Sequence, residues 1–231
     1  MARKYSSEEV KEKLIRAVYH LAATEGLERI TMRKVAEGCG LSTPYIYQCY
    51  QDMAELMTDA YLRADSQVAN LMHVVRQLHV PGADRRQELE QACWTLWSLY
   101  WNFLMRDADR AVFCWRYYLS GYFGAPVLEF RREYYKDLLD FAQRVGRLCG
   151  VRSPVKMQAL VSNIIDETAT TAVKMHLGYI ARDALTPRMV YQSAFSLLFH
   201  LLGIDVWQAE GLEDRPLRGL EIDEKTLQKG T

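Results

Sequence analysis

The chain has 231 residues, of which 49% are hydrophobic and 25% are charged. This composition is typical of a globular protein of one large or two small domains, and it excludes a disordered chain, a collagen-like repeat and a disulfide mini-scaffold. The 29 basic and 29 acidic residues cancel, which excludes a uniformly basic nucleic-acid coat but not a local basic face. Residues 1–50 carry eight basic and six acidic side chains, so this segment is best suited to contact phosphate.

Several classes of function have no support in the sequence. The first thirty residues lack the apolar core of a secretion signal, and no later apolar run is long enough to span a membrane. The five cysteines include no C-x-x-C pair, which favours a cytoplasmic protein with buried thiols over a redox sensor. The five histidines have no ligand spacing, and the common catalytic motifs are absent. We therefore expect no catalytic residue, no metal and no cofactor.

Helix signals begin close to the N-terminus. Ser6 and Glu9, three residues apart, form the pattern of a capping box, and Gly26 ends the apolar periodicity that follows. Thr31 is placed to cap a second helix, which is expected to end at about Cys39.

A short third helix follows at once. Gly40 separates it from the second helix, and Ser42 or Thr43, followed by Pro44, marks its start. It is expected to end near Tyr50.

The remaining helices are longer. Asp52 caps a fourth helix whose apolar residues recur every three or four positions as far as Leu78. Five more helices are predicted at about residues 85–105, 107–120, 126–148, 154–179 and 187–202. Period-two alternation and hairpin turns are absent. The sequence therefore predicts an all-α fold of about nine helices, with three short helices, a long connector and a larger bundle.

The second and third helices form a helix-turn-helix pattern. Small Ala36 allows close approach of the helices, Gly40 supplies the turn, and Leu41 and Ile46 are spaced to fill the gap. The outward face of the third helix is then polar and aromatic. Such a helix fits the major groove of DNA and reads base edges. The alternative is a helical pair with no role in nucleic-acid binding.

Residues 31–50, with the sequence TMRKVAEGCGLSTPYIYQCY, resemble the DNA-binding signature of the tetracycline-repressor (TetR) family. The continuation QDMAEL resembles the start of that family's fourth helix, and the resemblance covers roughly residues 8–60. It implies a homodimer that places each third helix in one half-site of a palindromic double-stranded operator. Residues 1–51 would be the helix-turn-helix domain, 52–205 the ligand-binding and dimerisation domain, and 206–231 a polar tail.

The resemblance assigns DNA contacts to eight residues. They are Thr31, Arg33, Ser42, Thr43, Pro44, Tyr45, Tyr47 and Gln48. Thr31 and Tyr47 match positions that contact phosphates, and Arg33 matches a position that reaches DNA from the second helix. Ser42 matches the helix-capping position that also meets phosphate.

The other matched residues lie on the third helix. Pro44, Tyr45 and Gln48 match positions that contact bases or the nearby backbone. Thr43 and Met53 depart from the family pattern, because many members carry phosphate-neutralising lysines there. We therefore expect the affinity for DNA to fall less steeply with rising salt concentration than is usual for the family.

Residues 94–123 contain eleven large aromatic rings, and Trp94, Trp97 and Trp101 share one helix face. The rings either fill a core or line a cavity for a small apolar or aromatic effector. A cationic ligand would suit the rings if a carboxylate were near, whereas an anionic ligand would suit Arg116, and the sequence does not choose. The predicted pocket residues are Trp94, Trp97, Trp101, Phe113, Arg116, Tyr117, Asp166 and Thr170.

The last two helices are the expected dimer interface, with an apolar seam formed by Leu197, Leu198, Leu201 and Leu202. One face of the predicted helix 154–179 carries Asn163, Asp166 and Thr170. These side chains are expected either to line the pocket, to form hydrogen bonds across the dimer interface, or to face solvent. The favoured interpretation is that the protein is a ligand-responsive repressor. The alternative is a protein of the same fold that binds small molecules or proteins without sequence-specific DNA binding.

Overall fold

The computed structural model of the chain describes residues 6–78, 86–148, 150–201 and 203. Over these ranges the chain forms ten α-helices and two short 3₁₀ helices, and no strand, which confirms the all-α prediction. The α-helices are α1 (Ser7–Glu25), α2 (Met32–Cys39), α3 (Thr43–Tyr47), α4 (Met53–Met72), α5 (Arg86–Arg106), α6 (Ala108–Tyr118), α7 (Ala125–Tyr134), α8 (Lys136–Leu148), α9 (Pro154–His176) and α10 (Pro187–Leu201). The predicted tail 206–231, Cys149 and Leu202 lie outside the described residues.

Side-chain caps set the helix starts at the positions that the sequence predicted. The Glu9 N–H donates to Ser6 Oγ (3.2 Å), and the Ser6 N–H donates to the Glu9 carboxylate (2.8 Å), which completes the capping box of α1. Thr31 and Asp52 accept first-turn N–H groups of α2 and α4. The same role belongs to Asp107, Ser153 and Thr186 at the starts of α6, α9 and α10.

Two predicted helices differ from the structure. The predicted helix 126–148 is divided into α7 and α8 at Tyr135, although neither glycine nor proline marks the break. The predicted fourth helix also changes its winding, because α4 ends at Met72 and His73–Gln77 is a 3₁₀ helix. A 3₁₀ helix repeats every three residues, so Val75 and Leu78 continue the apolar spacing of α4 and hide the change.

The described residues pack as two compact units. The first comprises the described residues up to Ser66 together with Phe103–Tyr134. In it, α1 packs against α2 and α6, and α2 packs against α3. Its fully buried side chains include Leu14, Val18, Val35, Ile46, Leu56 and Phe113. This core fixes the α2–α3 pair on α1.

The second unit comprises the described residues of Gln67–Asn102 and those from Tyr135 onward. Its α9 packs against α8 and α10, and its fully buried side chains include Val75, Tyr191 and Phe199. The predicted functional boundary at residue 51 stays a prediction. In the described parts of the chain, no helix is both long and apolar enough to cross a membrane.

Candidate functional site

The turn between α2 and α3 is built around Gly40. Its φ of 66° lies in the left-handed region, which glycine adopts without steric cost. The Gly40 N–H donates to the Glu37 carbonyl (3.1 Å), and the Leu41 N–H donates to the Ala36 carbonyl (2.9 Å). This pair of bonds satisfies the last carbonyls of α2 and turns the chain directly into α3.

The inner face of α3 is anchored in the first unit. Ile46 is fully buried, as the sequence predicted, and Ala36 of α2, which packs against α3, is also buried. Leu41, the other residue predicted to fill the gap, is only half-buried. At the end of α3, the Tyr50 hydroxyl donates to the Asp59 carboxylate of α4 (2.5 Å). Because these contacts hold the inner face, the orientation of the outer face of α3 is fixed.

The outer face of α3 presents polar and aromatic side chains to solvent. Tyr45 is 44% exposed and Tyr47 is 56% exposed. The other predicted DNA-contacting residues that are exposed are Thr31, Arg33, Ser42, Pro44 and Gln48, whereas Thr43 is half-buried. Tyr45 and Tyr47 are two positions apart and flank the buried Ile46, so both rings are accessible to a partner on the solvent side of α3.

The basic side chains beside α3 are held in surface ion pairs. Arg33 Nε donates to the Glu37 carboxylate at 2.8 Å, and this bond raises the pKa of the Arg33 guanidinium. Lys34 pairs with Glu25 in the same way. Ion pairs between exposed side chains contribute little to stability. Arg33 can therefore leave the Glu37 carboxylate and bind a phosphate without disturbing α2.

The backbone starts α3 without help from its capping side chain. The Ser42 carbonyl accepts the Tyr45 N–H at 2.9 Å. Within the described segment 6–78, the Ser42 hydroxyl makes no hydrogen bond to the first turn of α3. That hydroxyl is exposed and is therefore accessible to a phosphate oxygen.

The predicted pocket residues of the second unit are brought together in part. Trp94 stacks on Trp97, and Trp97 stacks on Trp101, each pair with ring centroids 5.3 Å apart, so the shared face predicted from their spacing is present. Trp97 and Trp101 are buried, and Trp94 is half-buried. The Trp97 indole N–H donates to Thr168 Oγ1 of α9 at 3.0 Å. Asp166 and Thr170, on either side of Thr168 in sequence, are half-buried.

The other three predicted pocket residues belong to the first unit. Phe113 and Tyr117 are fully buried, and Tyr117 stacks on Tyr61 with ring centroids 4.5 Å apart. Arg116 Nη1 donates to the Ala22 carbonyl at 2.6 Å, and the same carbonyl also accepts the Gly26 N–H at the end of α1. The eight residues are thus divided between the two units, and the pocket stays a prediction.

Several side chains with polar roles were not singled out from the sequence. Thr168 is completely buried as the partner of Trp97, and its only signal was its position inside the polar segment that contains Asp166. Asp65 and Arg131 form an ion pair in the first unit, 66 positions apart in the chain, and no local pattern could have found it. Among the described residues there is no cluster of His, Cys, Asp or Glu that could hold a metal ion.

Comparison with known proteins identifies the fold. No protein-family model and no curated protein matches the sequence. A TetR-family transcription regulator from Marinobacter aquaeolei VT8 is similar in structure, with a TM-score of 0.64, 14% identity, and coverage of 83% of this chain and 94% of the other. A TetR-family transcriptional regulator from Haemophilus influenzae RD gives a TM-score of 0.56 and 17% identity, covering 86% and 98%.

A transcriptional regulator from Rhodococcus sp. Rha1 gives the same TM-score of 0.56 at 18% identity, covering 84% of this chain and 96% of the other. The similarity extends well beyond the segment 8–60 that carried the sequence resemblance. The chain therefore has the all-α fold of the TetR-family transcription regulators.

Proposed function

We propose that the protein is a DNA-binding transcription regulator that inserts α3 into the major groove. The observation that carries this proposal is the exposed polar and aromatic face of α3, held outward by the Gly40 turn and the buried Ile46. A short helix presented in this way fits the groove and reaches base edges. The shared fold supports the same function, because the compared structures are described as transcription regulators.

The contacts divide into two groups. Arg33, Ser42 and Tyr47, together with the exposed Thr31, are proposed to bind phosphates and set the position of α3 on the duplex. Pro44, Tyr45 and Gln48 are proposed to contact bases or the nearby backbone. Phosphate contacts supply affinity at every sequence, whereas base contacts supply the preference for one sequence.

A homodimer is the proposed binding unit, with a palindromic operator as its target. Apolar side chains are exposed on α9 and α10, among them Val155, Met189, Leu197 and Leu201. Leu198, predicted as part of the same seam, is buried within the second unit. A two-fold dimer would place two α3 helices roughly 34 Å apart, which is one turn of DNA.

The regulator is proposed to be a repressor that responds to a small apolar or aromatic effector. The tryptophan face of α5 is the proposed contact surface, and Trp94, half-buried, is its most accessible ring. Because α4 begins at Met53, soon after α3, a shift of α4 would change the separation of the two recognition helices. The effector releases DNA only if it binds the mismatched state more tightly than the DNA-binding state.

The deciding experiment is a genome-fragment pull-down with purified protein at moderate salt, followed by sequencing of the recovered DNA. A recurrent palindrome with half-sites one helical turn apart would support the proposal. Tyr45→Ala should reduce the enrichment, because it removes a proposed base contact from α3. Tyr179→Ala is the matched control, since Tyr179 is also exposed but lies between α9 and α10, and it should leave the enrichment unchanged.

Recovery of random DNA alone would mean either that a bound effector had released the operator or that the protein does not bind DNA sequence-specifically. A second step distinguishes these two explanations. The protein is unfolded, dialysed and refolded to remove any bound effector, and the pull-down is repeated. A palindrome recovered only after this step would indicate that a bound effector had released the DNA. Random DNA after refolding would contradict the proposal and favour a protein of the same fold that binds small molecules or proteins without sequence-specific DNA binding.

A further inference from the structure

The end of α8 and the start of α9 carry positive charge without any negative charge between them. Residues 141–165 contain four basic residues and no acidic one. All four side chains are exposed, and they belong to Arg144, Arg147, Arg152 and Lys156. Within the part of the chain that the structure describes, none of the four forms an ion pair with a carboxylate. These four residues are called the basic corner below.

Backbone and side-chain contacts hold the two halves of the basic corner together. The Val151 N–H donates to the Gly146 carbonyl at 2.8 Å, which caps the end of α8. Gly146 lies against Met157 of α9, because a Cβ atom added to the glycine would be 2.8 Å from the Met157 sulfur. The four charges therefore belong to one corner of the second unit. The N-terminus of α9 adds the positive end of its helix dipole there.

The charges of the basic corner repel one another. Arg144 and Arg147 are three positions apart on α8, and residues at that spacing are neighbours whose like charges destabilise a helix. An acidic partner would relieve the repulsion. Because each ion pair between exposed side chains is weak, the partner has to present several carboxylates at once.

The C-terminal segment of the same chain has the complementary charge. Residues 205–224 contain seven acidic and two basic residues. Three of the acidic residues occur within positions 210–214, and three more within positions 221–224. The segment 205–224 lies outside the described residues, and it follows closely on α10, which ends at Leu201.

The end of α10 lies toward the same end of the second unit as the basic corner. The connection between α9 and α10 has ten residues and contains a turn, in which the Ala184 N–H donates to the Ala181 carbonyl at 3.0 Å. Helices that pack together after so short a connection are antiparallel. The Ser193 hydroxyl of α10 donates to the Glu167 carboxylate of α9, which fixes their register.

This register gives the distance from the end of α10 to the start of α9. From the contact between Ser193 and Glu167, α10 continues for eight residues and α9 extends back for thirteen. At about 1.5 Å per residue these lengths are about 12 Å and 20 Å. Along the helix axis, α10 therefore ends about 8 Å from the level at which α9 begins.

We propose that the acidic segment 205–224 docks on the basic corner of its own chain. About ten residues of chain can span up to about 33 Å, which is enough to bring residues 210–214 from the end of α10 to the corner. The tether gives the segment a high local concentration, which offsets the weakness of each exposed ion pair. The docked segment covers the corner and keeps other polyanions from it. The proposal does not depend on the proposed role in DNA binding.

Cross-linking of the full chain with a water-soluble carbodiimide tests the proposal. The reagent joins a lysine Nζ directly to a carboxylate that contacts it, and mass spectrometry identifies the joined peptides. Lys156 should be joined to acidic residues of the segment 205–224. Lys174 is the matched control, since it is an exposed lysine in the last turn of the same helix and should not be joined to that segment. The ion pair of Lys34 with Glu25 is the positive control for the reagent.

Replacement of the three arginines by glutamine tests the role of charge, because it leaves Lys156 and all the carboxylates in place. The variant carries Arg144→Gln, Arg147→Gln and Arg152→Gln. Its yield of the Lys156 cross-link, relative to that of Lys34 with Glu25, should fall about tenfold, since each of three exposed ion pairs contributes about twofold. If the triple variant does not fold, the three single variants replace it, and each should lower the yield about twofold.

Three results would overturn the proposal. The first is that Lys156 is not joined to the segment 205–224, or is joined no more than Lys174 is, although Lys34 is joined to Glu25. The second is an unchanged yield in the arginine variants. The third is found by mixing isotope-labelled with unlabelled protein, where a cross-link between one labelled and one unlabelled peptide would place the segment on a second copy of the chain. Because no DNA is present, these results are independent of the pull-down.

Discussion

Substitution of Gly40 would test two properties of the α2–α3 turn by separate measurements. One is the contribution of Gly40 to the free energy of unfolding, and the other is the role of the turn in presenting α3 to DNA. A Cβ atom added to Gly40 would meet no heavy atom of the surrounding structure within 4 Å. Gly40→Ala therefore introduces no steric clash. Its cost is that of placing an L side chain in the left-handed region at φ 66°, which is about 1–2 kcal/mol of unfolding free energy.

The assay is urea unfolding followed by far-ultraviolet circular dichroism. With a slope of about 2–3 kcal/mol per molar urea, the unfolding midpoint should fall by about 0.3–1 M. Gly178 provides a matched control, because its φ is 78° and a Cβ there also meets nothing within 4 Å. Gly178→Ala should therefore cost a similar amount of stability, at the end of α9 in the second unit.

The two variants should differ in DNA binding. Fluorescence anisotropy with the recovered operator should show weaker binding by Gly40→Ala, by about tenfold, if α3 loses one base contact of about 1–3 kcal/mol. Gly178→Ala should bind as wild type does. Equal operator affinities for the two variants would refute the claim that the Gly40 turn presents α3. A stability loss well above about 3 kcal/mol for Gly40→Ala would refute the assignment of its cost to the backbone alone.

Further predictions concern the outer face of α3 and the half-buried thiol of Cys114. Tyr47→Phe should weaken binding to operator and random duplexes alike, because it removes a phosphate contact, whereas Tyr45→Ala should lower the ratio of operator to random affinity. Equal effects of both on random DNA would contradict this division. Thr43→Lys should steepen the plot of log affinity against log salt concentration by about 0.9 per protomer, and an unchanged slope would place residue 43 away from phosphate. Burial raises the pKa of the Cys114 thiol to about 12, so at about pH 8 it stays protonated and should react with Ellman's reagent only after unfolding. Cys114→Ser should remove that late-reacting thiol, and prompt labelling of Cys114 in the folded protein would be the opposite result.

Local chemistry made most of the helices predictable from the sequence. Ser6, Thr31 and Asp52 act on N–H groups two or three residues ahead, so their capping role does not depend on the rest of the fold. Gly40 is equally local, because the left-handed conformation it adopts is a property of a single residue. The burial of Ile46 and the exposure of Tyr45 and Tyr47 follow from the period of a helix.

The same periodicity could not show where a helix changes its winding. An apolar repeat of three or four residues continues through Tyr135 and through the 3₁₀ segment His73–Gln77, so the sequence predicted one helix where two elements exist. It also could not separate Leu197, which is exposed, from Leu198, which is buried. Which leucine faces inward depends on where α9 packs against α10, and that is set outside the helix.

By itself, the sequence determined the all-α class, the order of the helices and the outward face of α3, because each follows from interactions within a few residues along the chain. Only the tertiary structure decided which distant side chains meet. Trp97 reaches Thr168 across 71 positions, and Arg131 reaches Asp65 across 66. Contacts at such separations depend on how helices pack together, and neither composition nor local spacing encodes that packing.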